Sequence, residues 1–373
     1  MSDAPAAPDQ APGAPHPRET KRLFGQTVAE AEFLSAFNAG RLHHGWLLHG
    51  PRGIGKATLA WRIARFLLAI PDDEDGGMFG APAPPDTLDI DAAHPVARRI
   101  LAGADPGLAN IIRTVNDKTG RMRGEIVVDD IRRLNRFFGL SATDGGRRVV
   151  IVDTADDMNT NAANALLKML EEPPARTTIL LVSHQPSRLL PTIRSRCRGL
   201  RLAPLGSDDM ARALGETGAD TSAQPEHLAA LASGSVGDAL RLINLGGLEI
   251  YAELMAIVAS LPQLDRPRAL ALAEAAAQRN AGERFELLLN LIDIAMARLA
   301  HTGAHGTPPL PEAAKGESQI LTRLAPSPES ARQWATVAAE IIQRTRQGKA
   351  VNLDPASLVL DTVFRMQDVS AGR

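Results

Sequence analysis

Cysteine, aromatic residues and net charge are all scarce in this chain. Of its 373 residues one is cysteine, 3% are aromatic, and the formal net charge is -2. The lone Cys197 excludes an internal disulfide, and the near-zero charge excludes a general attraction to nucleic acid or to anionic membranes. No run of about 18 apolar residues and no secretory segment is present. We therefore expect a cytosolic protein with no membrane partner.

What the chain does have is length and helix-forming residues. A length of 373 residues exceeds one domain of about 100 to 200 residues, so two or three domains are expected. The apolar fraction of 44%, rich in alanine and leucine, favours helices. Residues 1–19, rich in alanine and proline, are predicted to form a flexible tail. Residues 71–96, rich in proline and aspartate, are predicted to form an irregular surface insertion.

Helical and strand patterns alternate between residues 20 and 202. The apolar spacing predicts helices over 28–38, 57–70, 129–139 and 161–171, and strands over 46–48, 149–152 and 178–182. Residues 193–197 are predicted to close a further strand. Strand, helix and strand in alternation indicate a parallel sheet with helices on both faces.

Strand signals fade after residue 202. Helices are predicted over 208–217, 225–233, 237–245, 267–278, 283–300, 329–347 and 355–366, with a loop over 303–311. The first three are short and indicate a small bundle. The later helices are longer and amphipathic.

The segment that follows the first predicted strand carries a phosphate-binding motif. Its matching residues are Gly50, Gly53, Gly55 and Lys56. In such a loop, backbone N–H groups surround phosphate oxygens and the lysine reaches the outer phosphates. The last position should be Ser or Thr to hold Mg²⁺, but it is Ala57. Thr58 lies about 100° further round the helix and is a poor substitute. Phosphate binding is therefore expected to be possible, and metal binding impaired.

The strand over 149–152 ends at a second informative position. Asp153 stands where such folds place an acidic residue beside the metal. Thr154 follows, at the position where a catalytic glutamate is expected. A threonine hydroxyl cannot act as a base near neutral pH, so the sequence predicts that the site does not hydrolyse ATP.

Four segments together resemble the AAA+ clamp loader subunits of bacterial DNA polymerase III, and most closely the delta-prime subunit family. They are Leu23–Gln26, Gly50–Lys56, Asn161–Pro174 and Arg194–Cys197. The resemblance implies an α/β fold in three parts. These are a RecA-like AAA+ parallel-sheet domain over 20–202, a small helical lid over 203–246 and an all-α C-terminal collar over 247–373.

The resemblance also implies a role for Arg196 and a set of partners. In the family, the arginine of this Ser-Arg-Cys motif projects into the ATP site of a neighbouring subunit, where it offsets charge on the transferred phosphoryl group. Arg196 is therefore expected to be an arginine finger that acts in trans. The implied partners are motor (gamma/tau) and delta subunits in a heteropentameric ring, the sliding clamp and primer-template DNA.

Three residues depart from the ATP-hydrolysing members of that family. Ala57 removes the Mg²⁺ hydroxyl, Thr154 removes the carboxylate, and Gly237 replaces the lid arginine that contacts phosphate. Ser183 aligns with the sensor position and, with Asp153, would complete a degenerate ATP site. No cofactor is expected to be required, although ATP or ADP could still bind. Residues 71–125 lack the cysteines of the zinc module found in many relatives, so zinc is not expected.

Contacts with DNA are less defined. Asn161 begins a helix that the resemblance implies lines the ring interior, so it is a candidate for contact with duplex phosphates. Basic residues between 113 and 148 form either a solvated face or part of a DNA surface.

Three functions remain open from the sequence. The leading hypothesis is a non-hydrolysing stator that supplies Arg196. The alternatives are an ATP-hydrolysing motor subunit and a nucleotide-sensing binding module. Turnover by the isolated chain distinguishes the motor, and titration with labelled nucleotide distinguishes the sensing module.

Overall fold

Strands and helices alternate in the first half of the chain, and helices dominate the second. The structure is a computed structural model that describes residues 9–10, 14–70, 83–116, 118–139, 146–219, 225–278 and 281–372. The strands are β1 Gly45–His49, β2 Leu108–Ile111, β3 Arg148–Asp153, β4 Thr177–Ser183 and β5 Arg198–Arg201. The helices are α1 Thr27–Asn38, α2 Lys56–Ala69, α3 Pro95–Leu101, α4 Val128–Gly139, α5 Thr160–Glu171, α6 Pro191–Ser195, α7 Ser207–Thr217, α8 Pro225–Ala232, α9 Val236–Leu245, α10 Gly247–Ser260, α11 Arg266–Ala276, α12 Gly282–His305, α13 Glu317–Leu324, α14 Pro328–Ala350 and α15 Pro355–Ser370.

The chain forms two compact units. The first contains the residues up to Thr217 together with Gly234–Gly237, and the second contains Gly218–Ser233 and the residues from Asp238 onward. The predicted division at residues 202 and 246 into sheet domain, lid and collar stays a prediction.

The sheet of the first unit is parallel, in the order β2-β3-β4-β1-β5. Helices cover both faces: α4 and α5 pack on one, and α2 packs against β1, β3 and β4 on the other. All seven residues of β4 are buried, as expected for a central parallel strand. The predicted α/β class, a parallel sheet followed by a helical C-terminal part, is confirmed. Because the strands are parallel, the loops after β1, β3 and β4 lie together at the carboxyl-terminal ends of the strands.

The prediction of a strand closing over 193–197 is wrong. Residues 191–195 form the short helix α6, and the strand is β5, which begins at Arg198. Pro191 lies in the first turn of α6, where its fixed φ and missing N–H suit a helix start. The strand was hidden because β5 is a short edge strand in which only Leu200 is buried.

Residues 16 and 18, within the predicted flexible tail, contact α2, and the tail itself stays a prediction. His16 is 6% exposed, and its ring meets the edge of Trp61 of α2 at a centroid distance of 5.6 Å. Its Nε2 lies 3.2 Å from a carboxylate oxygen of Asp9, which also accepts a 2.9 Å hydrogen bond from Asn110 of β2. Arg65 of α2 donates to the carbonyl oxygen of Arg18. The amino-acid composition does not predict these contacts, because they are a few polar interactions and not the packing of a periodic apolar face. The predicted insertion lies partly outside the described residues, at 71–82.

The regular secondary structure among the described residues of the second unit is helical. Its buried side chains include Tyr251, Leu291, Trp334 and Val359. The predicted loop over 303–311 begins later than expected, because α12 continues to His305 and ends at Gly306, whose φ is 71°. Among the described residues no single helix is long and apolar enough to cross a membrane. The bent pair α9 and α10 passes that test jointly, on length and composition alone.

Candidate functional site

The glycines of the loop between β1 and α2 are required by backbone conformation. Gly50, Gly53 and Gly55 have φ values of 149°, 74° and 96°, in the region that side chains disfavour. A Cβ at Gly50 would lie 2.5 Å from the carbonyl oxygen of Leu202. The backbone of this loop therefore requires glycine at these positions, and phosphate binding by the loop stays a prediction.

The side chain of Lys56 forms hydrogen bonds within this loop. Its Nζ donates hydrogen bonds to the carbonyl oxygens of Gly50, at 2.8 Å, and of Pro51. The residue is 2% exposed, and burial lowers the pKa of the ammonium to about 8, although the charges of Asp153 and Asp156 oppose that shift. The predicted phosphate ligand therefore has two acceptors within its own loop.

The segment Gly234–Gly237 packs directly on the loop. The backbone N–H of Gly237 donates a 3.1 Å hydrogen bond to the carbonyl oxygen of Gly53. A Cβ on Gly237 would lie 3.0 Å from Cα of Gly53, and a Cβ on Gly53 would collide with Oγ of Ser235. At the position predicted to have lost the lid arginine, backbone therefore packs against backbone.

Asp153, Thr154 and His184 form a polar cluster at the ends of β3 and β4. Oγ1 of Thr154 donates to Oδ1 of Asp153 at 3.1 Å and lies 3.5 Å from Nε2 of His184. Burial raises the pKa of Asp153 to about 6, and the charge of Asp9 adds to that shift. Burial lowers the pKa of His184 to about 4. The cluster thus favours the neutral forms of both groups.

These residues do not fit a magnesium ion. Ala57 has no side-chain oxygen at the position where a serine or threonine hydroxyl would coordinate the ion, and Thr154 has no carboxylate at the position of the expected catalytic glutamate. Thr58 lies on the first turn of α2 and is partly exposed.

Asp156 is the residue that sequence reasoning missed here. Its carboxylate accepts hydrogen bonds from Oγ of Ser183 at 2.7 Å, from the backbone N–H of His184 and from that of Gln185 at 3.2 Å. The sensor hydroxyl predicted at Ser183 is fully buried and engaged by this carboxylate. A second acidic residue three positions after Asp153 was the available signal, but its partners are distant in sequence.

Arg196 lies at the other end of the strands, where β1 and β5 begin. It ends α6, and its backbone carbonyl lies against Gly45, the first residue of β1. Its side chain is 38% exposed and forms a 3.0 Å ion pair with Glu171. The adjacent Cys197 packs on the core, where burial raises the pKa of its thiol to about 12. The structure therefore does not bring Arg196 together with the phosphate loop.

The candidate DNA residues separate into two kinds. Asn161 is exposed near the start of α5, whose cap is Asn159: its side chain accepts a 3.0 Å hydrogen bond from the N–H of Ala162. Several arginines of the 113–148 region pair with nearby aspartates, namely Arg113 with Asp157, Arg132 with Asp129 and Arg133 with Asp130. Pairing of this kind is typical of a solvated face, and the DNA contact of Asn161 stays a prediction.

Comparison with known proteins shows what the first unit of this chain resembles. Residues 25–206 match the family model described as DNA polymerase III, delta subunit. DNA polymerase III subunit delta′ of Pseudomonas aeruginosa is 38% identical over 57% of this chain and 59% of its own length. Subunit delta′ of Escherichia coli is 32% identical over 46% of each chain. Subunit tau of Escherichia coli is 29% identical over 72% of this chain and 40% of its own length.

The chain thus spans about half the length of these relatives. The matched part contains the phosphate loop, the polar cluster and Arg196. Residues 25–206, matched by the family model and by two delta′ subunits, are therefore similar to the delta′ and gamma/tau subunits of DNA polymerase III.

Proposed function

We propose that the chain is a non-hydrolysing, delta-prime-like stator of the DNA polymerase III clamp loader. It supplies Arg196 in trans to the ATP site of a neighbouring subunit and helps to load the sliding clamp onto primed DNA. The observation that carries this proposal is the position of Arg196, exposed at the end of the strands opposite the chain's own phosphate loop.

The strand register supports action in trans. β5 pairs with β1 from Trp46 opposite Arg198 to His49 opposite Arg201, and Arg196 precedes that pairing. The phosphate loop begins after His49, at the other end of β1. Five residues at about 3.3 Å each separate Gly45 from Gly50 by about 16 Å, which exceeds the length of an arginine side chain. A triphosphate reached by Arg196 would therefore belong to another molecule.

The chain's own pocket supports the stator over the motor. Ala57 and Thr154 lack the oxygen ligand and the carboxylate that hydrolysis requires, and Lys56 donates to its own loop. The partners follow from the family: the matched relatives are delta′, gamma and tau subunits of DNA polymerase III, so a complex with such subunits is proposed. The clamp and primer-template DNA belong to the same proposal.

The test is reconstitution with the motor and delta subunits of the same organism. Arg196→Ala should leave assembly intact and remove the trans contribution at the adjoining ATP site, where such fingers contribute about 10³ to 10⁵ in rate. Arg194→Ala, an exposed arginine two residues earlier, is the matched control and should change neither assembly nor turnover.

Three results would contradict the stator. Unchanged DNA-stimulated ATPase and clamp loading with Arg196→Ala would contradict the role of Arg196 as an arginine finger. Magnesium-dependent turnover by the isolated chain, abolished by Lys56→Ala, would identify a motor. Saturable binding of labelled ATP or ADP by the isolated chain, with an unaffected complex in Arg196→Ala, would identify a sensing module.

A further inference from the structure

The side chain of Arg196 is held at two of its nitrogens. Nη2 lies 3.0 Å from Oε1 of Glu171, and Nη1 donates a 3.2 Å hydrogen bond to the carbonyl oxygen of Thr192. The guanidinium is planar and rigid, so contacts at two nitrogens define its plane as well as its position. An arginine has five N–H donors, so donors remain for a phosphoryl oxygen while both contacts persist.

Both residues of the ion pair are next to residues that pack on the core. Glu171 is the last residue of α5, directly after Leu170, which is 2% exposed in the core under the sheet. The backbone carbonyl of Leu170 lies 3.0 Å from Nε2 of His44, just before β1. On the other side, Cys197 packs against the same core. The end of α5 and the start of β5 are thus fixed at one end of the strands.

The contact is selective within its neighbourhood. Glu172 follows Glu171 directly and is also exposed, yet within the described part of the chain the ion pair to Arg196 comes from Glu171 alone. Glu171 and Arg196 are 44% and 38% exposed, so the pair is open to solvent and adds little to stability. Its consequence is therefore geometric: it restricts the directions in which Arg196 extends.

We propose that Glu171 is a positioning residue that orients Arg196 for the neighbouring ATP site. This inference rests on the proposed role of Arg196. A carboxylate that only competed with phosphate for the guanidinium would slow the reaction, and its removal would accelerate it. A carboxylate that orients the guanidinium has the opposite effect, because a misplacement of about 1 Å is enough to reduce a rate strongly.

The experiment compares four variants in the reconstituted clamp loader: Glu171→Ala, Glu171→Gln, Glu172→Ala and Arg196→Ala. Steady-state ATPase is measured against ATP concentration, with the loss caused by Arg196→Ala as the reference. The decrease in kcat caused by Glu171→Ala should be about half or more of the decrease caused by Arg196→Ala, and KM for ATP should stay unchanged. Glu171→Gln should recover most of the lost kcat, because an amide oxygen still accepts the hydrogen bond. Glu172→Ala should match the wild type.

The outcomes separate the two proposals. If Arg196→Ala lowers kcat but Glu171→Ala behaves like Glu172→Ala, the positioning role is overturned and the finger stands. If Glu171→Ala raises kcat, Glu171 is a competitor and the positioning role is again overturned. If Arg196→Ala has no effect, both proposals fall. Unchanged thermal midpoints and unchanged assembly by gel filtration exclude misfolding as the cause of any loss.

Discussion

The backbone N–H of Gly237 donates to the carbonyl oxygen of Gly53 across a distance of 3.1 Å, and the two Cα atoms leave no room for a side chain. A glycine of the phosphate loop and a glycine at the predicted lid-arginine position are therefore parts of one packed unit. A side chain at residue 237, arginine included, would meet the backbone of Gly53.

Gly237→Ala tests this packing against a matched helical glycine. A Cβ at Gly237 meets backbone at 3.0 Å, whereas a Cβ at Gly215 of α7 meets nothing within 4 Å. Replacing a helical glycine by alanine stabilises by up to about 1 kcal/mol, and overpacking destabilises by about 1 to 3 kcal/mol. Urea unfolding should show a gain for Gly215→Ala and a loss for Gly237→Ala. Equal gains would contradict the packing.

Asp153 and His184 should give the free energy of unfolding opposite pH dependences. The pKa of Asp153 is raised from 3.8 to about 6, so its stability contribution is present below pH 3.8 and is lost as pH rises through 6. The pKa of His184 is lowered from 6.5 to about 4, so its contribution is present above pH 6.5 and is lost as pH falls through 4. In the wild type, these two pH-dependent contributions to the free energy of unfolding nearly cancel.

Single variants should expose each slope. Asp153→Asn leaves the histidine, so stability should rise more steeply than in the wild type between pH 4 and 6.5. His184→Gln leaves the aspartate, so stability should fall over about the same range. The check is a series of urea titrations between pH 4 and 7. Parallel curves for both variants and the wild type would show that neither group is perturbed.

Lys56 should make stability increase at alkaline pH. Its pKa is lowered from 10.5 to about 8, so the unfolded chain binds the proton more tightly between these values. Stability should therefore rise from pH 8 to 10, and Lys56→Met should lose that rise. Lys118→Met, at an exposed residue, is the control and should keep it. The measurement is the urea midpoint at pH 7.5, 8.5 and 9.5.

Glu317 should be the most sensitive charged position of the second unit. It is fully buried, pairs with Arg298 at 2.8 Å and accepts hydrogen bonds of 2.6 Å from Tyr251 and from the N–H of Ala313. Arg298→Ala leaves this carboxylate without its cation, which costs about 3 to 5 kcal/mol. Arg268→Ala, whose ion pairs are exposed, should cost less than about 1 kcal/mol. Similar thermal shifts for the two variants would contradict this assignment.

Much of the α/β part could be predicted because its patterns are local. The strand over 149–152 and the helix over 161–171 were predicted within two residues of β3 and α5. By contrast, β2 and β5 were not predicted: they are four-residue edge strands with one buried residue each, so their apolar signal is weak.

The sequence by itself determined a glycine-rich segment that ends in Lys56 and Ala57, a strand end at which Thr154 follows Asp153, and an arginine in a Ser-Arg-Cys motif. Each follows from residues adjacent in the chain. Only the tertiary structure decided that Lys56 turns to its own loop, that Gly237 packs on Gly53, and that Glu171 holds Arg196. These contacts join atoms brought together by sheet register and by glycine-sized gaps, and no local pattern encodes such distances.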